Sequence, residues 1–192
     1  KLARRAGAAI RTRQHMEARI RGLRRSIEVE QEELAIWQEQ ASKVKDTGGD
    51  TFMAKIGRKE YTERKEFGAD LIQIIEDAIS GEGHKNNDRI GTISDFPLFV
   101  NFSKLIGGGD IYIQLPGDRD VIAGFSEDPV GMARKVEGAL QKIRHTPARI
   151  ERDIAEREAA LADTQDGLRK LKGFEQQAEL DALQDRVDAL ED

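Results

Sequence analysis

Two runs of seven-residue apolar repeat, one in each half of the 192-residue chain, constrain its fold more than any other feature. In the first, Met16, Ile20, Leu23, Ile27, Leu34, Trp37, Ala41 and Val44 follow alternating steps of four and three, with Glu30 as the polar intruder. In the second, Val136, Leu140, Ile143, Ile150, Ile154, Leu161, Leu168 and Leu171 keep the same stepping, and Pro147, Arg157 and Thr164 occupy seam positions. Each run lays one apolar stripe along a helix, and two such stripes can bury each other side by side. The expected fold class is α+β: a long antiparallel helical coiled-coil arm carrying a small domain of antiparallel β-sheet plus one helix.

The punctuation of the chain divides that expectation into three parts. Residues 1–46 read as the first coiled-coil helix, about 65 Å long at 1.5 Å per residue, ended by Asp46, Thr47, Gly48 and Gly49. Residues 47–128 read as a small α+β tip domain. It opens with a hairpin, Phe52 to Ile56 and Lys59 to Thr62 around a Gly57-Arg58 turn. Thr62 is placed to cap an amphipathic helix with Phe67, Leu71, Ile74, Ile75, Ala78 and Ile79 on one face. Four short segments then form an antiparallel meander: Arg89 to Ser94, Leu98 to Phe102, Ile111 to Leu115 and Val121 to Phe125. Alternation puts Leu98, Val100, Phe102, Ile111, Ile113 and Leu115 on a buried face, with Asn101, Tyr112 and Gln114 on a wetter one. Asp128 followed by Pro129 is a helix start. Residues 129–192 therefore read as the second coiled-coil helix, kinked near Pro147 and broken near Gly173, where the apolar phase slips before Leu180, Leu183, Val187 and Leu190.

Composition agrees with long solvated helices, since charged residues make up 35% of the chain and aromatics 5%. Most of the phenylalanines and both tyrosines fall in the middle stretch, so the packing concentrates there. Cysteine is absent, which removes disulfides and thiolate metal sites and fits a cytoplasmic setting. No apolar run reaches the length of a membrane span. The chain begins at Lys1 in mid-pattern for a helix, the expectation for a segment of a longer protein.

A net charge of -5 conceals a strong asymmetry. The first 25 residues carry nine basic residues against Glu17 alone, a net of +8, whereas residues 147–192 carry seven basic and thirteen acidic residues, a net of -6. Antiparallel pairing would set the two blocks against each other. Alternatively the arginines Arg4, Arg5, Arg11, Arg13, Arg21, Arg24 and Arg25 offer the sequence-independent attraction that nucleic-acid phosphates select. A second basic group, Lys55, Arg58, Lys59, Arg64 and Lys65, lies on the hairpin and the helix after it, beside Tyr61 and interleaved with Glu60, Glu63 and Glu66. A solvated mixed-charge face is favoured there over a local DNA contact.

No catalytic, cofactor-binding or metal-binding constellation stands out. The Ile106 to Asp110 glycine loop is followed by a strand, whereas a phosphate cradle needs a helix N-terminus. His15, His84 and His145 lack partners at ligand spacing. Asp118 and Asp120 sit in a turn for backbone reasons, and Ser94, Ser103 and Ser126 have no identifiable base.

The run Phe52-Met53-Ala54-Lys55-Ile56-Gly57-Arg58-Lys59-Glu60-Tyr61-Thr62-Glu63-Arg64-Lys65-Glu66-Phe67-Gly68-Ala69 resembles an aromatic, hairpin, Tyr-Thr-acid-Arg, Gly-small signature. That signature occurs in the C-terminal region of very large phage- and plasmid-borne proteins that join an adenine DNA methyltransferase to a Swi/Snf-like helicase. Asp95-Phe96-Pro97-Leu98 adds to the likeness, as does Gly173-Phe174-Glu175-Gln176-Gln177-Ala178-Glu179-Leu180, where the family often has Pro-Phe. The resemblance covers residues 50 to about 185. It implies a non-catalytic accessory arm of a bacterial or phage-encoded cytoplasmic DNA machine, engaging DNA or positioning catalytic lobes that lie outside this sequence. No phosphate loop or methyltransferase motif is present, so no ATPase or methyl-transfer residue carries over. The expected partners are DNA, without sequence specificity, and other domains of the parent. The rival expectation is a structural coiled-coil scaffold for homodimerisation or for docking a partner protein.

Overall fold

A computed structural model describes the backbone of residues 2–105, 107–117 and 119–191, and side-chain surroundings for residues 9–105, 107–117, 119–184 and 186. Three α-helices accompany a six-stranded antiparallel sheet. In chain order these are α1 (Leu2–Ser42), β1 (Ala54–Ile56), β2 (Lys59–Tyr61), α2 (Arg64–Ser80), β3 (Arg89–Ile93), β4 (Phe96–Ser103), β5 (Gly108–Leu115), β6 (Arg119–Gly124) and α3 (Pro129–Glu191). The chain divides into two compact units, one formed by residues 1–34 with 149–192 and the other by residues 35–148.

In the unit of residues 35–148 the strands lie in the order β2-β1-β3-β4-β5-β6, so the N-terminal hairpin and the meander are one sheet. Ala54 pairs with both Tyr61 and Ile93, which makes β1 the junction. Ser94 and Asp95 join β3 to β4 with φ of 51° and 66°, the two left-handed residues of a tight hairpin turn. Leu98, Val100, Ile111, Ile113 and Leu115 are all buried, as alternation requires, while Phe102 of the same face is half-buried. Tyr112 is buried as well, although it points to the other face, because its ring stacks on Phe99 with centroids 5.3 Å apart and 19° between planes. β6 is an edge strand, and Lys142 of α3 donates from its Nζ to the Ile122 carbonyl at 3.1 Å.

Phe67, Leu71 and Ile75 of α2 pack on the buried face of the sheet together with Met132, Val136, Leu140 and Ile143 of α3. α2 starts after Glu63 rather than Thr62, and no side chain caps it. It ends at Gly81, φ 87°, whose N–H reaches the Ala78 carbonyl while Glu82 N–H reaches Asp77. Asp128 caps α3 by accepting from Gly131 N–H at 2.5 Å. α2 meets the start of α3 at Gly68, where an added Cβ would lie 1.7 Å from the Pro129 carbonyl oxygen.

These contacts overturn the expected arm with a small tip. Val136, Leu140 and Ile143, read as coiled-coil seam, belong to the sheet's core, as does Val44, with Trp37 packed against it. The sheet-bearing unit therefore takes in residues 35–46 and 129–148, beyond the limits of 47 and 128 drawn from turn signals. The remaining seam, in residues 1–34 with 149–192, is thin. There Ile20, Ile27, Ile150 and Ile154 are buried, while Met16, Leu23, Leu161 and Leu168 are half-buried. The expected break near 173 is absent, because α3 is continuous from Pro129 to Glu191 with Pro147 inside it. Pro147 cannot donate to the preceding turn, and Thr146 supplies a hydroxyl bond to the Lys142 carbonyl at 2.7 Å.

Gly68→Ala is expected to cost about 3 kcal/mol, because backbone rather than a movable side chain occupies the space. Gly138→Ala, in helical backbone with nothing within 4 Å of the added Cβ, is expected to gain about 1 kcal/mol. Urea unfolding of the two variants should move the midpoint in opposite directions.

Candidate nucleic-acid interface

The helix pair of residues 1–34 and 149–192 is fixed by polar contacts across its seam. Arg13 lies 3.4 Å from Glu175, and Met16 packs on Gly167, its Cε 3.5 Å from an added Cβ. Arg157 Nη2 is 3.0 Å from Glu30 Oε1, and its Nε donates to Ser26 Oγ at 3.2 Å. As the numbers rise along α1 they fall along α3, so the segments are antiparallel. Two polar intruders of the seam, Glu30 and Arg157, meet each other. Glu30 Oε2 is buried with no hydrogen-bond partner, so the carboxylate depends on Arg157.

That register creates a groove of about 450 Å³ on the flank of the seam. Glu17, Ile20, Arg21 and Arg24 line one side, and Gln165, Leu168, Arg169 and Lys172 line the other. Residues three, four and seven apart share a helix face, which is why each helix presents its polar set to the same opening. Four cations and one carboxylate give the groove a net charge of +3. Among the described residues no ion pair involves Arg21, Arg24 or Lys172. Arg169 lies 3.9 Å from Asp166, whose closer partner is Lys170 at 2.7 Å. The Lys170 hydrogen bond holds Asp166 below the usual carboxylate range, and the Arg169 side chain remains 82% exposed. Water-facing guanidinium and ammonium groups converging on an open groove are suited to bind anionic oxygen.

Of the basic residues marked in the sequence, Arg21 and Arg24 enter this groove. Arg11 and Arg25 are exposed outside its lining, and Arg13 is engaged with Glu175. The side chains of Arg4 and Arg5 lie outside the described residues. Arg169 and Lys172 were missed because the surrounding stretch is acidic overall. The local Arg169-Lys170-Leu171-Lys172 cluster, laid antiparallel against Arg21 and Arg24, was the signal available.

In the sheet-bearing unit the second basic group is largely occupied. Lys55 pairs with Glu60 at 2.5 Å, and their hydrogen bond raises the lysine pKa and lowers that of the glutamate. Lys59 bonds Asp70 at 2.9 Å and sits 4.5 Å from the Tyr61 ring centroid. Arg64 forks onto both Glu137 oxygens at 2.9 and 3.0 Å, donates to the Thr47 and Gly49 carbonyls, and covers the Phe52 ring. That guanidinium holds three chain segments together. Arg58, at the hairpin turn, is exposed with no ion pair among the described residues. These residues do not converge with the groove cations in a single unit.

Tyr61 donates its hydroxyl to Asp70, which also accepts from Lys59. Burial first, then the Asp70 bond, push the Tyr61 phenol up to about 12. The Tyr61 hydrogen bond and then Lys59 hold Asp70 below its ordinary range. Among the described residues no group of three or more His, Cys, Asp or Glu is placed to hold a metal ion, and no helix is long and apolar enough to cross a membrane. Comparison with family models, curated proteins and solved structures returns no match to this chain.

Arg157→Met strands the Glu30 carboxylate and is expected to cost about 1–3 kcal/mol in urea unfolding. The double variant Glu30→Leu/Arg157→Met is expected to recover that loss. Because the folded-state pKa of Tyr61 is raised, its contribution to stability is complete below pH 10 and is lost as pH rises toward about 12. Denaturation midpoints followed through that window should fall in the parent protein, and by less in Tyr61→Phe.

Proposed function

We propose that this chain is a non-catalytic accessory module that contacts nucleic-acid backbone within a larger cytoplasmic DNA-processing protein. The observation that carries the reading is the groove between α1 and α3, where Arg21, Arg24, Arg169 and Lys172 converge with Glu17 as the one opposing charge. Cations in such an opening gain affinity by releasing the counterions condensed on a polyanion, and they do so without reading bases. The resemblance of residues 50 to about 185 to the C-terminal regions of methyltransferase–helicase proteins supports DNA as the polyanion. No ATPase or methyl-transfer motif lies in the sequence, so the chemistry belongs to other parts of such a protein.

A second reading, a structural scaffold for dimerisation or partner docking, is favoured by Arg13 on Glu175 and Arg157 on Glu30, where basic charge is spent on holding the helices together. The two readings differ at the groove, whose cations add nothing to a scaffold.

Fluorescence anisotropy of the whole chain with a labelled DNA duplex across a salt series tests the proposal. Four phosphate contacts predict a slope of log K against log salt of about -3.6, reduced to about -1.8 in Arg21→Ala/Arg24→Ala. Absence of binding at low salt would leave only the scaffold.

A further inference from the structure

The groove discriminates between forms of nucleic acid by what it lacks beside its cations. Its apolar lining is aliphatic, from Ile20 and Leu168. Residues 1–34 and 149–192 contain a single aromatic residue, Phe174, which is 75% exposed and does not line the groove. Sites for single strands combine a basic track with aromatic platforms, and each stacked base contributes about 1–3 kcal/mol. No aromatic ring is among the lining residues, whose planar groups are the guanidiniums of Arg21, Arg24 and Arg169, the Gln165 amide and the Glu17 carboxylate.

Resting on the backbone-contact reading above, we propose that the groove is a duplex site, taking the phosphates of double-stranded nucleic acid in preference to a single strand. A duplex carries one charge per about 1.7 Å of axis and holds its phosphates outward in a preordered row, while its bases are already stacked on one another. A site built from charge alone forgoes nothing by leaving them so. A single strand would have to give up base stacking and backbone freedom for the same contacts, with no aromatic surface in return. On each helix the two cations stand one turn apart, Arg21 with Arg24 and Arg169 with Lys172, so they meet successive charges along a strand. Glu17 lines the α1 side a turn before Arg21 and repels phosphate there, which biases the contact toward the Arg24 end of that wall.

The whole chain is titrated by anisotropy with a labelled duplex of about 20 base pairs and mixed sequence, and separately with each of its strands. With four contacts, counterion release gives slopes of about -3.6 for the duplex and about -2.8 for the strands. Carried from about 1 M down to about 50 mM salt, that difference predicts an approximately tenfold preference for duplex. Unlabelled duplex of unrelated sequence should compete equally, and Phe174→Ala should leave duplex affinity unchanged. Equal or tighter binding of a single strand would overturn the duplex assignment while leaving the backbone-contact reading in place. If neither form binds at about 50 mM salt, both fail together.

Discussion

One close backbone crossing underlies the sheet-bearing unit. α2 and the start of α3 must share a single face of a six-stranded sheet, and they meet where Gly68 offers no Cβ against the Pro129 carbonyl. With that approach, Phe67, Leu71 and Ile75 from one helix and Met132, Val136, Leu140 and Ile143 from the other reach the same buried residues of β4 and β5. Arg64 secures the arrangement from outside, since Glu137 on α3 and the carbonyls of Thr47 and Gly49 all converge on its guanidinium. Packing and polar ties therefore act on the same junction, and a helix that looked independent of the sheet is part of its core.

Period-two alternation made much of this legible in advance. It located every strand to within a few residues and named Leu98, Val100, Ile111, Ile113 and Leu115 as buried. The Asp128-Pro129 pair marked the start of α3. The error lay in assigning a partner to the apolar stripe of that helix. Over the span from Val136 to Ile143 a repeat of 3.5 cannot be told from one of 3.6, so the same residues fit a helix seam or a sheet face. Tyr112 was misplaced for a different reason: its burial comes from a cross-strand ring, a neighbour that faces it only once the register is known. The slip of apolar phase near Gly173 suggests a break, yet a phase slip leaves the backbone ladder intact and a lone glycine costs a helix only about 1 kcal/mol.

Charge was legible in amount and not in placement. The surplus on α1 pointed to Arg21 and Arg24, but Arg169 and Lys172 vanished into the average of an acidic stretch. Conversely, the basic hairpin looked available because its partners are remote, Asp70 lying 11 residues from Lys59 and Glu137 lying 73 from Arg64. Pairing at such separations is decided by tertiary structure, so a count along the sequence overstates one cluster and hides another. The groove exists only in the antiparallel register that Glu30 and Arg157 help to set.

The bond from Lys142 to the Ile122 carbonyl has a further consequence. β6 is a terminal strand of the sheet, and such a margin is a template on which another polypeptide can lay itself down, copy after copy. With the Ile122 carbonyl engaged by an ammonium of α3, that acceptor on the margin is already in use.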